Sequence, residues 1–192
     1  MIMRSFVFGV AGLALGGLVA ITAVLGPMDL GGIAIGPWRT NLHIGAPDAP
    51  ATVRAIIARK GLLALNRSET VYFSADQDSH GDALDEACRY DVVFDEAPAA
   101  YWWSLTVYAQ DDFLAVNGED AHSVHADTMV WSDNGRGVVA VGHPSAENGL
   151  STRNGGAFNL TLRLYLPDET IAMDPRTATL PRINRLGCGD ES

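Results

Sequence analysis

The sequence predicts a mainly β protein: an antiparallel β-sandwich with one short helix, set behind a single N-terminal transmembrane helix. Three observations carry this expectation. The stretch Ala99–Tyr108, AAYWWSLTVY, combines aromatic and β-branched residues without Gly, Pro or charge, the pattern of a central strand. About seven short apolar runs follow one another from Glu69 onward, with turn residues between them. Phe6–Leu25, FVFGVAGLALGGLVAITAVL, is 20 residues without a charge. At about 1.5 Å of rise each, that length matches the ~30 Å hydrocarbon core of a bilayer.

The chain has 192 residues, 47% of them hydrophobic, enough for one anchor and one domain with a real core. The expected division is 1–27 as anchor, 28–66 as linker and short helix, and 67–192 as the sandwich. Basic residues number 13 against 23 acidic, and Lys60 is the single lysine. A surface this acidic repels nucleic acid and anionic lipid, so no nucleic-acid partner is expected.

Arg4 precedes the apolar run and Asp29 follows it. The positive-inside bias then places the N-terminus in the cytoplasm and the domain outside, with residues 6–25 in the membrane. A cleaved signal peptide is the competing reading. Ile21-Thr22-Ala23 is a poor cleavage site because of its bulky first residue; Val24-Leu25-Gly26 fits better but is followed by Pro27. An uncleaved anchor is therefore expected. Gly12 and Gly16 form a GxxxG, a helix-dimer motif that also arises by chance where glycines are frequent.

Cys88 and Cys188 either form a disulfide or are two unrelated thiols. A bond would close a loop of about 100 residues, worth roughly 4–5 kcal/mol in the chain-entropy model. Compartment decides between the two, and a domain outside the cytoplasm favours the bond.

Taken in order, Gly26–Gly36 reads as a Gly-rich connector with a short apolar piece at Gly32–Ile35. Asp48 and Pro50 suit the start of a helix over Ala51–Leu65. Its Val53, Ile56, Ile57 and Leu63 fall to one side; Arg54, Arg59 and Lys60 fall largely to the other. Such a helix packs on the sheet, or touches lipid with its basic side. Glu69–Ala75 alternates, with Val71 and Phe73 against Tyr72 and Ser74. Asp76–Asp85 is turn chemistry. Ala87–Phe94 sets Tyr90, Val92 and Phe94 on one face.

In the central strand Tyr101, Trp103, Leu105 and Val107 share the core face, while Trp102, Ser104, Thr106 and Tyr108 share the other. Phe113–Val116 is a short apolar piece ending at the turn Asn117-Gly118. Asp127–Trp131 and Gly137–Val141 read as a hairpin about Asp133-Asn134-Gly135. Gly155–Leu166 is the clearest alternation. Phe158, Leu160, Leu162, Leu164 and Leu166 face inward; Asn159, Thr161, Arg163 and Tyr165 face away; Pro167 stops the strand. Leu180–Leu186 is the last strand.

The run Trp103-Ser104-Leu105-Thr106-Val107-Tyr108, followed by Phe158-x-Leu160-Thr161-Leu162-Arg163-Leu164-Tyr165-x-Pro167, resembles the bacterial "domain of unknown function 1214" family. Glu69-x-x-Tyr72, Asp78-x-x-Gly81-x-x-Leu84 and Tyr90 fit the same pattern, so the resemblance covers roughly Gly61–Cys188. It implies a jelly-roll-like β-sandwich in envelope or membrane-associated bacterial proteins. Many relatives carry a second sandwich upstream, of the sister family 1254; this chain has a membrane segment and a helix there. Where the family often has an Asn-Trp-Leu-Pro segment, Asn148-Gly149-Leu150-Ser151 lacks the Trp and the Pro. The family supplies no settled activity. With the anchor, it places the chain in the bacterial inner membrane, single-pass, with its domain in the periplasm.

The two outward stripes are the candidate ligand surface: Trp102, Ser104, Thr106 and Tyr108 with Asn159, Thr161, Arg163 and Tyr165. As neighbours in one sheet they would form a platform whose rings stack on sugars or apolar ligands while hydroxyls and a guanidinium orient them. The plainer alternative is that other elements cover this face and Arg163 pairs with an acid there, with Glu69, Asp76 or Asp91 as the partner.

Asp76–Asp82 resembles the front of a calcium loop but fails at its back, where Ala87 occupies the last ligand position. His122-x-x-His125 lacks a third ligand at a telling spacing, which favours surface histidines over zinc. No Gly-x-Ser-x-Gly elbow is present, and a Ser104–His80–Asp triad would depend wholly on folding. No metal, cofactor or catalytic residue is therefore expected. The reading is a membrane-anchored envelope module that binds a glycan, a small ligand or an envelope protein. A hydrolase-like enzyme on an envelope or small-molecule substrate, and a purely structural domain, are the alternatives.

Overall fold

A computed structural model describes residues 2–25, 32–59, 63–114, 118, 120–152 and 156–189. Helix α1 spans Ile2–Leu25, and its window Ser5–Thr22 is long and apolar enough to cross a membrane. Strands β1 (Ile33–Ile35) and β2 (Trp38–Thr40) pair as a small hairpin; β1 is the short apolar piece of the Gly-rich connector and β2 lies just after it. Helix α2 is Ala51–Arg59, shorter than expected. Val53 and Ile56 are buried and Arg54 and Arg59 exposed, as its periodicity requires. Leu63 lies beyond the helix and is 89% exposed, so it is not a core residue. Lys60 lies outside the described residues.

The remaining strands are β3 (Thr70–Ala75), β4 (Cys88–Phe94), β5 (Ala100–Ala109), β6 (Ser123–His125), β7 (Gly137–Val141), β8 (Gly149–Leu150), β9 (Phe158–Pro167) and β10 (Arg182–Cys188). A second short helix, α3 (Glu169–Met173), and a 3-10 turn at Pro175–Thr177 join β9 to β10. The expectation of a single short helix is thus corrected. The strands form a six-stranded sheet in the order β1-β2-β3-β9-β5-β6 and a four-stranded sheet in the order β10-β4-β7-β8. All pairings are antiparallel except β7 with β8.

The core lies between the sheets. Phe73, Trp103, Leu105, Val107, Leu160 and Leu162 from one meet Tyr90, Val92, Phe94, Val139, Val141 and Ile183 from the other. Tyr90 meets Phe158 edge-on at 5.6 Å, and Phe94 meets Trp103 at 5.2 Å. The alternation in β4, β5 and β9 is therefore the pattern of strands with one face on this core. Two inward expectations fail at one end of the β5–β9 ladder. Tyr101 is 83% and Leu166 56% exposed, beyond the last buried residues Trp103 and Leu164.

The expected strand at Asp127–Trp131 is also not found; β6 lies earlier, at Ser123–His125. The Ser132–Arg136 turn forms, with Gly135 at φ 78° and the Ser132 amide donating to the Arg136 carbonyl. No ladder grows from it, because the Asn148 side chain occupies the backbone groups of Val130. It accepts from the Val130 amide at 2.8 Å and donates to the Val130 and Val138 carbonyls. Val139 and Val141 instead pair with β4. Leu114 makes an isolated bridge to Tyr108, while 115–117, including Asn117 of the expected turn, lie outside the described residues.

Cys88 and Cys188 are partners at the β4–β10 end, with sulphurs 1.98 Å apart, the separation of a disulfide.

Candidate functional site

The outer face of the six-stranded sheet is built by register. β5 and β9 pair Trp102 with Tyr165, Ser104 with Arg163, Thr106 with Thr161, and Tyr108 with Asn159. The two stripes read from sequence thus lie side by side. On the other flank of β9, Tyr72 pairs with Arg163 and Ser74 with Thr161. The sequence places Tyr72 and Ser74 outward on their strand but gives no signal that they join the stripes.

The face is not an open platform. Arg59 at the end of α2, the segment at Leu63 and Leu65, and the loop Asp111–Leu114 border it and make it one wall of a half-open cavity of about 520 Å³. Tyr72 holds part of this border: its hydroxyl accepts from the Leu65 amide at 3.0 Å and donates to the Leu63 carbonyl at 3.1 Å. Tyr108, Asn159, Thr161, Arg163 and Tyr165 line the floor with Tyr72 and Ser74. Arg59, Leu63 and Phe113 are the wall residues sequence reasoning missed. Phe113 had a weak signal, as an apolar residue after two aspartates.

Among the described residues Arg163 is the one cation on the floor. It donates to the Tyr108 hydroxyl at 2.7 Å and to Thr106 Oγ1 at 3.3 Å, and it lies 5.4 Å from the Tyr108 ring centre. Among the described residues no carboxylate pairs with it. Asp91 lies on β4, in the other sheet, and Glu69 and Asp76 are exposed at the two ends of β3. The expected ion pair is replaced by neutral hydroxyls. Burial pushes the Tyr165 hydroxyl above the usual tyrosine range; Arg163 opposes this shift, and Tyr72 and Tyr108 add to it.

Trp102, Ser104 and Thr106 do not line the cavity. Trp102 belongs to a neighbouring cluster. Its indole N–H donates to Asp127 Oδ2 at 2.6 Å, its ring meets Tyr165 edge-on at 5.3 Å, and it lies 5.1 Å from the His125 ring. Ser104 is the cross-strand partner of His125, whose Nδ1 is 3.6 Å from Asp127 Oδ2. Ser104 is nevertheless 93% buried, and Asp127 is engaged by Trp102. That arrangement positions a ring rather than exposing a nucleophile.

His80 is not brought to Ser104. Its turn is tied to β10 by the Ser79 amide on the Ile183 carbonyl. In that turn Asp78 Oδ1 accepts from the His80 and Asp82 amides, and Oδ2 lies 3.5 Å from Arg185 Nε. Burial alone would raise the Asp78 carboxyl. The two amides, Arg185 and His80 outweigh it and hold the carboxyl below its ordinary value. Asp78 therefore shapes the turn that the calcium-like pattern describes. Among the described residues no group of three or more His, Cys, Asp or Glu side chains is placed to hold a metal.

A family model described as "Protein of unknown function (DUF1214)" matches residues 69–169, which include β3, β5, β9 and the cavity floor. A search of curated proteins finds no match. Among solved structures, the VPA0106 protein from Vibrio parahaemolyticus is similar at 24% identity and a TM-score of 0.58. The alignment covers 73% of this chain and 36% of that one. A putative uncharacterized protein from Burkholderia cenocepacia aligns at 16% identity and a TM-score of 0.40, over 65% of this chain and 31% of that one. The chain thus spans about a third of the length of these proteins, and the first likeness is one of fold.

Proposed function

Because the chain belongs to this family of proteins of unknown function, DUF1214, we propose its activity from the site alone: a small-ligand-binding module held at a membrane. The observation that carries the reading is Arg163, a guanidinium with neutral partners on the floor of a cavity of about 520 Å³. That volume falls within the range of small-molecule sites, about 300–1,000 Å³, and such sites combine an apolar wall with a few orienting polar groups. Tyr72, Tyr108 and Tyr165 supply ring surface, and Asn159, Thr161 and Ser74 supply hydrogen bonds. A half-covered cavity of this size favours a small molecule over a glycan chain or a protein surface.

The apolar helix α1 supports anchoring through residues 6–25. The cysteine pair supports an oxidising compartment, and with it a periplasmic domain. Two facing sheets of mostly antiparallel strands support a jelly-roll-like arrangement.

The test uses the full chain in lipid nanodiscs, screened against a small-molecule panel by intrinsic fluorescence and calorimetry. Binding lost in Arg163→Gln and retained in Trp102→Ala is expected, because Trp102 lies outside the cavity. Failure of the folded protein to bind any panel member would favour a structural domain. Turnover of ester or glycoside substrates would favour the hydrolase.

A further inference from the structure

The lining of the cavity changes character from floor to mouth, and we infer that its ligand is an amphipathic acid. Its carboxylate sits at Arg163 and Tyr108, and its aliphatic chain runs out past Leu63, Leu65, Phe113 and Leu114. This rests on the small-ligand reading above and narrows it to a chemical class.

The floor is built for an anion. A guanidinium has five N–H donors, and two bonds, to Thr106 and Tyr108, are made by Arg163. Donors therefore remain for a planar, two-oxygen acceptor, which the fork geometry matches. Tyr108 accepts from Arg163, which leaves its own hydroxyl proton to donate into the same space. Tyr165 adds a hydroxyl that stays protonated, since burial disfavours its ionised form. A half-buried cation whose hydrogen-bond partners are neutral gains from an anion that brings its own negative charge to the cavity wall.

The mouth is built for a hydrocarbon chain. Leu63 is 89% and Phe113 70% exposed, with Leu65 and Leu114 beside them. Large apolar side chains grouped at the opening of a cavity mark a surface that is covered in use. Asp111 and Asp112 put negative charge on the mouth loop, and Asp111 Oδ1 accepts from the Phe113 amide. The acid group goes to Arg163, so the aliphatic part of the ligand occupies the apolar mouth. Arg59, at the end of α2, is a second guanidinium among the lining residues.

The full chain in nanodiscs is titrated calorimetrically with decanoate, methyl decanoate, decyltrimethylammonium and acetate, with empty nanodiscs subtracted for partitioning. Decanoate is expected to saturate. The ester, the cation and the head group alone are each expected to be about tenfold to a hundredfold weaker, the loss of a charge-assisted contact or of the chain's burial. Arg163→Gln loses the same factor for decanoate and not for the ester. Phe113→Ser weakens decanoate without changing the melting temperature.

Methyl decanoate or the cation binding as tightly as decanoate overturns the acid and leaves the cavity reading standing. So does a neutral panel molecule that binds while decanoate does not. No binding by any probe or panel member overturns both. Should Arg163→Gln fail to fold, the comparison of acid with ester on the unaltered chain decides alone.

Discussion

Arg163 and Tyr108 are not opposite one another in the β5–β9 ladder. Arg163 pairs with Ser104 and Tyr108 with Asn159, yet the guanidinium reaches along the sheet past Thr106 to donate to the Tyr108 hydroxyl at 2.7 Å. The long side chain is thereby laid flat across the cavity floor and does not project from it.

That contact fixes a coupling. Tyr108→Phe keeps the ring and removes the acceptor, and is expected to cost about 1.5–3 kcal/mol, the range for a hydrogen bond to a charged donor. In Arg163→Gln the same change should cost far less, because the donor is gone. A double-mutant cycle by denaturation of the full chain in micelles measures the difference. Additive effects would mean that Arg163 does not hold Tyr108.

Asp78 sets the response to acid. Its folded-state carboxyl is held below its ordinary value of 3.8, so its contribution to stability is complete above that value. It is lost as pH falls below about 4 and through the folded-state value, where the unfolded chain takes up the proton first. Asp78→Asn should flatten that acid limb of a stability–pH curve. Asp78→Ala should cost about 2–4 kcal/mol at neutral pH, since it strands the amides of His80 and Asp82 and takes the carboxylate away from Arg185. An Asn variant with an unchanged acid limb would remove Asp78 from this role.

Tyr165 sets the response to base. Its pKa is raised above 10.0, so stability is unaffected below that pH. Stability falls as pH rises from there through the folded-state value, because the unfolded chain loses its proton first. Tyrosinate absorbance should show a late step from Tyr165, and Tyr165→Phe should remove it. A late step that survives in Tyr165→Phe belongs to another ring.

The cysteine pair predicts a mass result. Alkylation of the intact, non-reduced chain should add no group, and prior reduction should let two be added. Reduction should also lower stability by up to about 4–5 kcal/mol, since the bond closes a separation of 100 residues. Two groups added without reductant would show free thiols.

The floor of the site was legible because a period of two is a local property. The alternation of β5 and β9 alone places Arg163, Tyr108 and Tyr165 on one side. The border was not legible, because Leu63, Phe113 and Arg59 reach the cavity through loops and a helix end whose placement no periodicity encodes. The strand expected at Asp127–Trp131 failed for a similar reason. The Asn148 side chain, 18 residues away, takes the backbone groups of Val130 that a partner strand would have used. Arg163 was expected beside an acid on grounds of charge burial, but half exposure and two hydroxyls suffice for it.

Trp38 gives the most exacting check on the fold. It sits in a three-residue strand just after the Gly-rich connector, with no periodicity to mark it, yet it is 1% exposed and among the largest buried side chains. Its indole N–H donates to the Pro181 carbonyl at 2.7 Å, joining β2 to the segment entering β10 across 143 residues of chain. Trp38→Phe leaves that buried carbonyl without its donor and should cost about 1–3 kcal/mol. Trp38→Ala also opens a cavity and should cost about 3–5 kcal/mol. Because Arg39 beside it pairs with Ser74 on β3, loss of Trp38 should loosen the edge of the sheet that carries the site. Hydrogen exchange in Trp38→Phe should therefore quicken at β2 and β3 before β5. Uniform protection, with no change in midpoint, would show that the N-terminal hairpin is dispensable to the sheet.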